Sequence, residues 1–162
     1  MKCSKFTRVA VAVFALICFV RVAKAGQQVP LKGNLQGDVV HTAVSPTVDA
    51  VVISAAGNVA HFGQCTITSE HLVDRPTRTA AGTYEITAAN GDTISAEFIG
   101  HATPTATPGV LSIVEVATIT GGTGRFAGAT GSFTVERLYD AIAGTTEGSF
   151  EGSISSPGSS RQ

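Results

Sequence analysis

Beyond residue 26 the chain alternates apolar and polar positions in short runs, the period of two that marks strands with one buried face. Val29 to Val40 predicts a first strand, interrupted by Gly33 and Gly37, and Ser45-Pro46 starts a turn. Val48 to Ser54 predicts the second strand, and Ala56-Gly57-Asn58 turns the chain. Val59 to Val73 predicts a long third strand kinked at Gly63, followed by the polar loop 74–78. Thr83 to Ala88 and Thr93 to Thr103 predict the fourth and fifth strands. Between them lies Asn90-Gly91, two residue types that tolerate the positive φ of a type I′ hairpin turn. After the stiff loop 104–109, Val110 to Ile119 predicts the sixth strand, apolar on both faces, as a central or covered strand is. Ser132 to Tyr139 and Thr146 to Ile154 complete the set. No helical period is sustained anywhere in this region. Such a series of short strands with regular turns predicts an all-β sandwich or barrel.

The sixth and seventh strands are joined by Gly121-Gly122-Thr123-Gly124-Arg125-Phe126-Ala127-Gly128-Ala129-Thr130-Gly131, five glycines in eleven positions. The segment fits G-x-G-x-x-A, but a dinucleotide site also needs a long helix to receive the pyrophosphate. Gly128 and Gly131 leave no room for one, so the stretch reads as a tight strand connection. Its one bulky apolar side chain, Phe126, is expected to fold back and plug one end of the β-core.

The run Ile119 to Gly131 resembles the glycine motif of the allene oxide cyclase and dirigent barrel superfamily, most of all its small secreted bacterial members. Ala88-Ala89-Asn90-Gly91-Asp92-Thr93-Ile94 and His61-Phe62-Gly63 resemble further segments of that group, and the resemblance spans about residues 57 to 154. It implies a single antiparallel eight-stranded, calycin-like barrel that forms homo-oligomers. Plant enzymes of the superfamily cyclise or couple small apolar molecules inside the barrel. Their catalytic residues do not map onto this chain one by one, so the activity is not carried over.

The first residues predict a signal peptide over 1–25. Lys2, Lys5 and Arg8 precede the apolar run Val9 to Val20, and Ala23-Lys24-Ala25 supplies a cleavage site. The apolar run falls short of the ~20 residues that span a bilayer, so no stable membrane span is expected after cleavage. The barrel domain is then 26–155, followed by a flexible tail at 156–162, and the protein is expected to be secreted or periplasmic. Loss of the signal removes five basic residues and leaves six against twelve acidic ones, a net charge of −6. That charge argues against nucleic acid as a partner. Cys65 is then the one remaining cysteine, expected as a buried thiol.

Glu115 is the most informative carboxylate. It alternates with Leu111, Ile113, Ala117 and Ile119, so it is the sole charge on an apolar strand face. Carboxylates are seldom buried, and a solvated outer face or a pair with Arg137 is the ordinary expectation. If that face is instead the lumen, burial would raise the carboxyl's affinity for protons and suit it to acid–base work. Arg137, sharing a face with Phe133, Val135 and Tyr139, would then be its partner. Glu115, Arg137 and Tyr139 are accordingly the candidate catalytic residues, although no convergent catalytic set is evident.

His61 and His71, ten residues apart on one predicted strand, would lie about 33 Å apart and could not share a metal. No zinc spacing and no G-x-S-x-G elbow occurs, so neither metal nor cofactor is expected. The expected function is non-catalytic binding of a small apolar ligand or a protein partner in the lumen or at the rim. The alternatives are a cyclase- or dirigent-like isomerase and a structural envelope protein.

Overall fold

The computed structural model describes residues 27–155; the signal peptide and the tail expected from sequence lie outside the described residues. Eight strands run in order: β1 (Gln28–Ala43), β2 (Val48–Val59), β3 (Gly63–Asp74), β4 (Thr79–Ala88), β5 (Thr93–Pro104), β6 (Val110–Gly122), β7 (Gly131–Asp140) and β8 (Thr145–Ser155). Each pairs antiparallel with the next, and β8 pairs back onto β1, which closes the barrel. Closure leaves no unpaired edge in a chain rich in β-branched residues.

Alternation divides lumen from surface. On β6 the inward positions Ile113, Glu115, Ala117 and Ile119 are buried, while Val114 and Val116 between them are exposed. The lumen is filled mainly by side chains, including Leu31, Ile53, Ile67, Ile86, Phe98, Phe133 and Phe150.

One end is stoppered as the glycine-rich segment predicts. A single 3₁₀ turn, Gly124–Phe126, drops Phe126 into the barrel, where it is buried and stacks on Phe62 with ring centroids 4.1 Å apart and planes 1° from parallel. Arg125 pairs with Asp92 at 2.7 Å and ties the segment to the β4–β5 connection. Gly124 is required at this junction: its φ is +55°, and a Cβ there would meet the Asp92 carboxylate at 1.7 Å.

Three local expectations are corrected. The β2–β3 turn lies at residues 60–62, not at Ala56–Asn58, so His61 is a turn residue with φ +71° and shares no strand with His71. Gly57 instead continues β2 opposite Cys65, passing so close to β1 that a Cβ would sit 2.1 Å from the Asn34 carbonyl. At Asn90-Gly91 only the glycine has positive φ, so the β4–β5 connection is not type I′. It closes through Gly91 N–H donating to the Ala88 carbonyl at 2.9 Å, with Asn90 and Asp92 bonded to each other. Finally, β1 runs unbroken through Gly33 and Gly37.

Candidate functional site

The end opposite the Phe126 plug is formed by the β1–β2, β3–β4, β5–β6 and β7–β8 connections. Just inside it lies a cavity of about 70 Å³. Its walls are mainly apolar, with Val39, Val51, Val73, Leu111 and Ile113 among them; His41, Arg78, His101 and Tyr139 line it from more exposed positions, and its buried polar groups are His71, Glu115 and Arg137.

These three polar residues come from alternating inward positions on β3, β6 and β7, and each faces a glycine on the neighbouring strand. His71 pairs with Gly82, Glu115 with Gly100 and Arg137 with Gly148. A Cβ on those glycines would lie 2.3 Å from His71 Cβ, 2.5 Å from Glu115 Cγ and 2.5 Å from Arg137 Cβ. The missing side chains thus make the room in which the large polar ones pack.

Glu115 is fully buried, and both its oxygens are engaged. Arg137 donates from one terminal nitrogen to Oε1 at 2.7 Å and from Nε to Oε2 at 3.1 Å, a two-pronged charged pair. The Tyr84 hydroxyl donates a short hydrogen bond to Oε2. The other terminal nitrogen of Arg137 donates to Thr146 Oγ1 at 3.3 Å, and Thr146 in turn donates to the Leu138 carbonyl at 2.7 Å. Burial alone would depress the Arg137 pKa, but the hydrogen bonds and charge of Glu115 outweigh it and hold the guanidinium above its ordinary value. Burial, reinforced by the Glu115 charge, pushes the Tyr84 hydroxyl well above its ordinary range. Tyr84 is therefore a neutral donor here.

His71 is 7% exposed, and its Nδ1 lies 3.1 Å from the Ser69 hydroxyl. Its ring meets Phe98 edge-on at 5.4 Å. Burial lowers its pKa to about 4; the Glu115 charge opposes that shift and Arg137 adds to it. The ring is neutral at neutral pH.

Of the sequence candidates, the fold brings Glu115 and Arg137 together inside the lumen, so the solvated outer placement of Glu115 does not occur. Tyr139 shares their face but sits further out, stacked on His41 at the rim with centroids 5.2 Å apart. The tyrosine on Glu115 is Tyr84, which alternation alone does not single out; Ser69 and Thr146 are missed likewise, and His71 enters the sequence reading only as a rejected metal ligand. Their signal lay in strand register, since inward alternation on β3 and β4 becomes a shared site only once the pairing is known. Cys65 is buried as expected, its thiol 3.6 Å from the Gly57 carbonyl. Among the described residues no group of three His, Cys, Asp or Glu side chains could hold a metal ion.

No family model matches the chain, and no curated protein matches it. Among solved structures it is similar to a pterocarpan synthase dirigent protein, with a TM-score of 0.58 and 13% identity over 94% of this chain and 98% of that one. At that identity the likeness concerns the fold alone: the chain shares that protein's overall barrel architecture, here eight antiparallel strands closed β8 to β1.

Proposed function

We propose that this protein binds a small, mainly apolar molecule just inside the open end of its barrel, without covalent chemistry. The observation that carries the proposal is the cavity itself, with apolar walls and buried His71, Glu115 and Arg137 among its lining. Pockets of this kind use apolar area for affinity and a few fixed polar groups for orientation. With both Glu115 oxygens engaged and Tyr84 protonated, the cluster is built to orient a ligand rather than to exchange protons. The volume sets the scale: an apolar cavity of about 150 Å³ accepts benzene, so a rigid site of 70 Å³ takes a guest of a few heavy atoms. Methyl NMR of the full chain titrated with small ketones tests the proposal. Saturable shifts at Val39, Val73 and Ile113, absent at the plug end, are the expected result; no saturable shift at those positions would refute it.

A dirigent- or cyclase-like isomerase is the second reading, favoured by the Tyr84–Glu115–Arg137 network beside the cavity and by the dirigent fold. Glu115 and Arg137 would there stabilise developing charge, with Tyr139 at the entrance. Export of the mature chain, kinship with the allene oxide cyclases and self-association belong to the same proposal. Self-association would use the outer row Leu72, Ile99 and Val116, which stays exposed on β3, β5 and β6.

A further inference from the structure

Ser69 and His71 form a pair that the ion-pair network does not absorb. The Ser69 hydroxyl is buried, and among the described residues its one hydrogen bond is to His71 Nδ1. A hydroxyl has a single proton to place. If Nδ1 carried a proton of its own and donated it, the serine proton would be stranded in the core without an acceptor, and a buried donor left unpaired is strongly disfavoured. The satisfied arrangement has Ser69 donating to Nδ1, which leaves the neutral ring its proton on Nε2. Nε2 has no partner among the described residues, yet no fully buried side-chain nitrogen or oxygen there lacks one. Nε2 is therefore not sealed in the core, and the space that His71 lines is the cavity.

Resting on the binding proposal above, we infer that His71 presents an Nε2–H donor to the cavity and selects a ligand whose polar end is a hydrogen-bond acceptor, a carbonyl or ether oxygen. Arg137 lines the same cavity, but its three guanidinium nitrogens are already engaged by Glu115 and Thr146, which leaves His71 as the free donor of the buried cluster. A hydrocarbon of the same shape would leave the His71 donor desolvated and unpaired.

Two measurements on the full chain test this. Nitrogen-15 NMR of the ligand-free protein at neutral pH reports the His71 tautomer. We expect the Nε2–H form, kept in Ser69→Thr and replaced by a mixture in Ser69→Ala; a dominant Nδ1–H form in the wild type overturns the inference whatever binds. The second compares butanone with 2-methyl-1-butene, its alkene isostere, by NMR titration. The ketone should bind about tenfold more tightly, and the preference should vanish in His71→Phe. Equal affinities overturn the inference and leave the binding proposal standing. Binding of neither removes the ligand half of the inference together with that proposal, while the tautomer still decides which nitrogen carries the proton.

Discussion

Removing one member of the Glu115–Arg137 pair leaves the other charged and unpartnered in the lumen. Glu115→Ala should therefore cost about 3–5 kcal/mol in urea unfolding, whereas the paired change Glu115→Leu with Arg137→Met should recover most of that loss. A single-variant cost below about 1 kcal/mol would mean that water reaches the pair. His71 adds a pH dependence. Its folded pKa of about 4 lies below the ordinary 6.5, so between those values the unfolded chain takes up the proton more readily. The stability contributed by the neutral ring is whole above 6.5 and is lost as pH falls toward 4, on the order of 3 kcal/mol in all. His71→Gln should flatten that slope in urea midpoints measured across the window; an unchanged slope would place its origin elsewhere. Asp74 and Asp92, held low by Thr77 and Arg125 respectively, act only at pH values below the carboxylate's ordinary 3.8. At this scale the sequence was half legible. Alternation put Glu115 and Arg137 each on an apolar face, and those faces proved to be the lumen. Tyr139 followed the same alternation, but strand alternation gives direction and not depth, and the residue lies at the rim.

The connections between elements decide which end of the barrel is open. The plug reads directly from composition, because a glycine-rich stretch with one aromatic has a single apolar group to bury. Phe126→Ala should cost about 3–5 kcal/mol and speed amide exchange of the β2–β3 and β6–β7 connections, measured by hydrogen exchange. Unchanged exchange there would show that Phe126 does not hold the plug. The β2–β3 turn was not legible for a physical reason. Glycine signals a turn and a close strand approach alike, and Gly57 serves the approach, pressed against the Asn34 carbonyl. Gly82, Gly100 and Gly148 carry the same ambiguity. They look like weak points in strands, yet they stand opposite His71, Glu115 and Arg137 and make the lumen wide enough for them.

For the whole molecule, the count and spacing of the strands fit a sandwich or a barrel alike, and it is the pairing of β8 with β1 that closes the barrel, with the strands in chain order around it. The outer surface is mixed. Glu70, Glu85, Glu97, Glu136, Glu147 and Glu151 point outward, while Leu72, Ile99, Val114 and Val116 form an apolar stripe across β3 to β6. Self-association through that stripe predicts that Ile99→Glu sediments as a monomer with little change in unfolding stability, against a larger wild-type species. Monomers in both cases would remove the proposal. Ligand binding depends on an accessible cavity inside the open end, against the polar cluster. A crystal structure under xenon pressure tests it most directly. A xenon atom is expected among Val39, Val73 and Ile113; xenon only on the outer stripe, or none in the lumen, would mean that no such cavity is open to a guest.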